Sequence, residues 1–329
     1  MKKRCIVLFF ILVILKPLWG GIPEEILKIQ PDILSLYLEY YSSQGISISY
    51  EQNVNANNAP IYYSKLFGIP LDAAQKKYPV DNYNLSVDLE FYNKVTYWKF
   101  APISDLSNYK VIMTEGKDNI FFDNKGKFAI VDFLNYNTEP TIAKITDYLC
   151  KIPGYSQVNL PYAWKTYASA LQDALNGNGG LKVLSHSGDE IVLELSLPFQ
   201  RNLSYMVIIE LRKVNGLYVP RKYYHKSSND SNAISLWDVT CEYNLKHKEV
   251  MFPEKIVVNY HRYLENGERF TIKTDVFSNI KAKKIVLAKG EAFRPLKLPE
   301  GTILRFGEDD QNGVMIGNAI EVLKNKINN

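Results

Sequence analysis

Cysteine and histidine are scarce in this chain, with three of the first and four of the second among 329 residues. Cys5 sits in the first few residues, so only Cys150 and Cys241 are left to form a disulfide, and two separate buried thiols fit the sequence equally well. His186, His225, His247 and His261 are nowhere four residues apart, and neither H-E-x-x-H nor a paired C-x-x-C occurs. The usual zinc and redox spacings are therefore missing, and no metal or cofactor is expected. A G-x-S-x-G elbow and a glycine-rich phosphate loop are missing too, so an enzyme built on this chain would leave no local signature.

The chain also lacks a long apolar run. Lys2, Lys3 and Arg4 precede an apolar stretch over 6–15, followed by Lys16, Pro17 and the small pair Gly20-Gly21. A bilayer span takes about 20 apolar residues, whereas a basic start, a shorter apolar core and a small-residue end describe a secretory signal. Residues 1–20 are expected to be that signal, and a periplasmic or secreted location follows. Cys5 precedes the apolar core and is not placed to carry a lipoprotein's lipid. The signal holds three lysines, one arginine and no acid, so removing it lowers Lys+Arg from 39 to 35 against 35 Asp+Glu. The formal charge of +4 belongs wholly to the signal. Without a basic footprint, no nucleic-acid partner is expected.

What remains is rich in strand-formers: 46% of the chain is hydrophobic and 13% aromatic. The segment 24–43 has Ile33, Leu34, Tyr37, Leu38 and Tyr41 at three- and four-residue steps and predicts a helix. After Gly45 the period changes to two, with Ile46, Ile48 and Tyr50 alternating with Ser47, Ser49 and Glu51, which predicts a strand. Residues 52–83 are polar and broken by Pro60, Pro70 and Pro79, and read as an insertion or flap with one short helix at LDAAQKKY. Strands are predicted at 85–100, 109–114, 119–123 and 127–133, and helices at 138–152 and 160–180. In the second helix Trp164, Tyr167, Ala168, Leu171 and Leu175 form an aromatic-aliphatic stripe.

From 182 onward nearly everything reads as strand and turn: 190–197, 203–214, 217–225, 234–244, 254–265, 268–277 and 283–289. Asn215-Gly216 and Asn266-Gly267 stand between strands, the strongest short-range hairpin signal. In 203–211, Leu203, Tyr205, Val207, Ile209 and Leu211 are backed by Met206 and Ile208, so part of this strand is apolar on both sides. The fold class is mainly antiparallel β with helices, an α+β chain in which either a helix covers that second apolar face or the sheet curls around an apolar space. Residues 21–329 read as a single domain with insertions near 52–83 and 134–180.

Few residues suggest chemistry. His261 alternates outward beside Asn259 and reads as a solvent-side histidine. Asp238 and Glu242 flank the strand next to Trp237, but four residues along a strand is about 13 Å, beyond the spacing of a glycosidase pair. Glu308-x-Asp310-x-Asn312-Gly313 has the start of a calcium loop, yet its twelfth position is Ala319 instead of a glutamate.

Three pieces resemble one family: DILSLYLEYYSSQGISISYEQ near the start, IIELRKVNGLYVPRKYYH in the middle, and FPEKIVVNYHRYLENGERFTIKTDVFSNIK running on to FRPLKLPEGT. Together with the order of elements they resemble the LolA/LolB-like outer-membrane lipoprotein-sorting proteins. The resemblance implies an unclosed antiparallel half-barrel lidded by helices, which binds acyl chains on its concave apolar face and is not an enzyme. The partners it implies are a lipid or lipidated protein and a transient membrane-associated donor or acceptor. On this chain the expected trough residues are Trp164, Tyr167 and Leu171 of the helix and Tyr205, Val207 and Ile209 of the doubly apolar strand. The alternatives are a secreted interaction protein with a side-chain-filled sheet, and an unrecognised hydrolase.

Overall fold

The structure, a computed structural model, describes residues 45–80, 82–92, 95–115, 118–131, 180–199, 203–227, 237–243, 253–287, 298–306 and 314–315. The expected signal at 1–20 and the helices predicted over 24–43, 138–152 and 160–180 lie outside them, except Gly180, which opens a strand.

Among the described residues, fifteen strands form one sheet. β1 (Ile46–Asn55), β2 (Tyr83–Tyr92), β3 (Val95–Pro102), β4 (Lys110–Glu115), β5 (Asp118–Asp123) and β6 (Phe128–Val131) run outward from the middle as an antiparallel meander. From the opposite edge a second meander runs inward: β7 (Gly180–Ser187), β8 (Glu190–Phe199), β9 (Leu203–Val214), β10 (Leu217–Ser227), β11 (Trp237–Glu242), β12 (Lys255–Tyr263) and β13 (Arg269–Lys284). The two meet where β1 pairs antiparallel with β13, Ile46 opposite Lys284 and Asn55 opposite Thr274. The chain then crosses the whole first meander to add β14 (Ile303–Phe306) parallel to β6, with β15 (Val314–Met315) outside it. β15 and β7 are separate edges, so the sheet is an open half-barrel.

Both Asn-Gly pairs make the expected turns: Asn215 and Gly216 take positive φ of 50° and 84°, and Gly267 takes 82°. The stretch 85–100 is two strands, β2 and β3, and 268–277 continues without a break to Lys284. The segment 52–83 also holds more order than its prolines suggest. β1 runs on to Asn55, and two helices follow, α1 (Ala59–Phe67) and α2 (Leu71–Lys77). Pro60 stands in the first turn of α1, where a missing N–H costs nothing, so here proline starts a helix.

In an antiparallel pair, directly opposed residues share a face. Tracing register through Ile48–Leu89, Tyr50–Val87 and Gln52–Phe277 therefore separates the two faces. One carries Ile48, Tyr50, Val54, Leu85, Val87, Leu89, Trp98, Phe100 and Ile112 in the first meander, all at most 3% exposed. The same face continues through Phe277, Ile256, Val258 and Val239 to Ile209, Val207 and Leu193. A face buried across this many strands is the inside of the curve. A second, smaller core lies outside it, where Leu298 and Leu304 pack on Val111, Phe122 and Ala129 and hold β14 to the first meander.

Candidate functional site

Of the expected trough residues, Val207 and Ile209 lie on the inner face, at 2% and 0% exposure. Ile208, on the other face, is also buried, at 3%, so the doubly apolar reading of β9 holds. Tyr205 belongs to β9 and pairs through its backbone with Leu197 and Ser227. Trp164, Tyr167 and Leu171, the helical half of the expected trough, lie outside the described residues, as does Cys150. Cys241 is a buried thiol on β11, and burial pushes its pKa well above the ordinary cysteine range.

The inner face is not uniformly apolar. Gln52, fully buried, stands opposite Phe277 in register, and Asp275, also fully buried, stands opposite Val54. Lys273 Nζ lies 3.0 and 3.1 Å from the two Asp275 carboxylate oxygens. Tyr260, beside them on β12, also bonds the carboxylate, and the Lys273 ammonium sits 5.0 Å over its ring. Removal of the carboxylate from water outweighs the nearby ammonium, and the Asp275 pKa rises to about 6. Simple alternation hides this, because through 269–276 it groups Lys273 and Asp275 with Arg269 and Thr271, opposite Phe270 and Ile272. Ile272 is the extra residue of a β-bulge at the Tyr260–His261 pairing, and it exchanges the faces of the residues on either side of it.

His261 is not the solvent-side residue that the sequence predicts. The residue does share the outer face with Asn259, yet it is only 1% exposed. Its Nε2 lies 2.6 Å from Asp238 Oδ2 and its Nδ1 lies 3.1 Å from the Thr271 hydroxyl. The Arg269 guanidinium covers the pair, 3.3 Å from the same Asp238 oxygen. Asn259 donates to the other oxygen at 3.0 Å and accepts from Thr274 at 2.9 Å. With both ring nitrogens engaged and the ring shielded, this cluster clasps three strands together. Its members are separated by 23 and 10 residues, so no local pattern announces it.

Two open cavities are lined by described residues. A groove of about 340 Å³ lies at the end of β9, β10 and β11, between Arg212, Lys213, Arg221, Cys241, Glu242 and Tyr243. Arg221 is bound there to Glu190 at 2.9 Å. A smaller cleft of about 160 Å³ at the opposite end is lined by Asn53, Asn55, Asn82, Tyr83 and Asn84. Its amides largely satisfy one another: Asn53 donates to Asn84, and Asn82 donates to Asn57 at 2.6 Å. The calcium-like segment 308–313 lies outside the described residues.

The resemblance read from the sequence is met among solved structures. This chain is similar to a LolA superfamily protein from Nitrosomonas europaea, at 15% identity and a TM-score of 0.37 over 79% of this chain and 95% of that one. It is similar to a putative outer membrane lipoprotein-sorting protein domain from Vibrio parahaemolyticus, at 9% identity and a TM-score of 0.37 over 78% and 94%. A DUF1329 family protein from Desulfovibrio piger gives 9% and 0.37 over 77% and 92%. No family model and no curated protein matches the chain. Likeness at this level carries no argument about function, which rests on the chain's own residues.

Proposed function

We propose that this protein is an extracytoplasmic carrier that holds the acyl chains of a lipid or lipidated protein along the inner face of its half-barrel. The observation that supports the reading is the extent of that face, whose buried apolar residues recur from Leu193 on β8 to Ile112 on β4, with Gln52 and Asp275 as buried polar positions among them. Among the described residues the helices are only nine and seven residues long, roughly 14 and 11 Å, against strands spaced about 4.8 Å apart. α1 and α2 together match two or three strands of a much wider apolar wall. Each methylene placed on such a wall stabilises binding by about 0.8 kcal/mol, so an acyl chain needs no dedicated polar site. Lys273, Asp275 and Tyr260 give the face one polar station, suited to a headgroup or ester.

A second reading draws on the same side chains. Leu89, Phe100, Ile112, Ile209 and Phe277 are at 0% exposure, as a core filled by its own side chains would be. In that case the protein is a secreted interaction module that takes no small ligand. Native mass spectrometry of protein purified from its own host separates the two, and a fluorescent fatty acid titrated into delipidated protein gives an independent measure. A retained lipid and saturable binding are expected; a bare protein that shows no saturable binding gives the filled-core reading.

A further inference from the structure

Large apolar side chains exposed among the described residues are nine: Ile61, Leu66, Phe67, Leu71, Val80, Ile103, Leu106, Leu184 and Val286. The first seven share one end of the sheet. Ile61 to Val80 belong to the α1–α2 hairpin, which leaves the end of β1 and returns at the start of β2. Ile103 and Leu106 stand in the turn after β3, tied to that end by the bond from Ile103 N–H to the Asn84 carbonyl at 3.0 Å. These side chains are held in place. Gly68 in the left-handed region ends α1, and the Ser64 hydroxyl donates to the Ile69 carbonyl at 2.7 Å. Tyr63 stacks on Tyr78 at 4.2 Å, with Phe67 beside both and 53% exposed. Asp105 fixes the other turn by accepting from the Ser107 N–H and hydroxyl.

We infer that this end is a docking surface for an anionic lipid bilayer. The inference rests on the acyl-carrier reading, because it supplies the surface from which such a ligand would be taken or given up. Charge singles out the partner. Lys65, Lys76 and Lys77 of residues 59–80 stand against Asp72 on the hairpin and Asp105 in the turn after β3, an excess of one base, whereas residues 21–329 balance 35 bases with 35 acids. Lys65 reaches Glu268 at 2.6 Å, but Lys76 and Lys77 have no carboxylate partner among the described residues. Lys77 lies instead over the Phe67 and Tyr78 rings, 5.8 and 5.6 Å from their centroids. Aromatic rings flanked by lysines on flexible stems are the side chains that settle at a headgroup boundary, the rings inserted and the ammonium groups among phosphates. The hairpin also stands at the end of the proposed acyl face, where Tyr62 packs on Phe270 at 5.7 Å. A lipid leaving that face at this end meets the bilayer without crossing water.

Flotation of the mature full-length chain with vesicles tests this. Vesicles of phosphatidylcholine with phosphatidylglycerol should bind the protein, phosphatidylcholine alone should bind it far less, and added salt should release it. Leu66→Ser with Phe67→Ser, and separately Lys76→Glu with Lys77→Glu, should each weaken binding about tenfold or more while thermal unfolding stays as in the wild type. Val286→Ser, at the opposite end and 90% exposed in the parent residue, should change nothing. Absence of binding to the anionic vesicles, equal binding by the hairpin variants, or an equal loss with Val286→Ser would overturn the inference. Hairpin-dependent self-association in ultracentrifugation without vesicle binding would make this end an interface between copies and overturn it as well. Fatty-acid titration without vesicles reads the carrier reading separately, so a protein that docks but takes no acyl chain, or the reverse, identifies which of the two has failed.

Discussion

Asp275 keeps its proton up to about pH 6, while an aspartate in the unfolded chain loses it near 4. Between those values the folded chain binds a proton that the unfolded chain has released, so stability falls as pH rises through the window, by up to about 3 kcal/mol. Asp275→Asn removes this dependence. Its melting temperature relative to the wild type should climb between pH 4 and pH 7, and a constant difference would show that Asp275 does not titrate there. On the outer face, Asp238→Ala strips a carboxylate from buried His261 and from Asn259, and should cost about 2–4 kcal/mol in urea unfolding; an unchanged midpoint would make the clasp decorative. Cys241 should resist thiol reagents in the folded protein, since burial favours its protonated form. After denaturation without reductant, two reactive thiols in the mature chain would show Cys150 and Cys241 separate, and none would show them joined. Residues of this kind were the least legible from sequence. Lys273 and Asp275 change faces relative to simple alternation because of one extra residue, Ile272, and a bulge leaves no mark in a single sequence. His261 keeps its face and is buried by partners distant in sequence.

At the scale of elements, far more could be read. Strand periodicity and Asn-Gly turns located the second meander, because each hairpin there is set by residues only a few positions apart. Helix α2 was found from its pattern, and α1 was missed because Pro60 and the polar run before it look like loop punctuation. Partners distant in sequence stayed hidden, and β14 is the clearest case. Pro299 and Gly301 are turn formers just before Ile303–Phe306, and the structure does turn there, Gly301 at a φ of 81° and Thr302 bonded back to the Pro299 carbonyl. Nothing local says that this strand lies parallel to β6. Leu304, fully buried against Val111, Phe122 and Ala129, fastens it. Leu304→Ala should lower stability by about 2–4 kcal/mol in a denaturant titration. It should also raise hydrogen exchange in β6 before β9; an even change across the sheet would mean that β14 is not a local fastener.

The molecule as a whole is a wall with two edges and one seam. The half-barrel was legible because its apolar inner residues recur every second position along most strands. Whether a ligand lies on that wall was not, because burial looks the same whether a side chain or an acyl chain supplies the contact. The seam carries a further consequence. β1 is made early, but its partner β13 lies more than 200 positions later, Asn55 against Thr274. Until the ribosome has released β13, the first meander stands with an unpaired edge strand at β1 and another at β6, and both await segments from the last fifth of the chain. Such long-range pairing folds slowly and leaves sticky edges exposed meanwhile. A chain truncated before residue 269 should therefore aggregate instead of folding in part, and during synthesis this protein depends on something to shield β1 until its last long strand arrives.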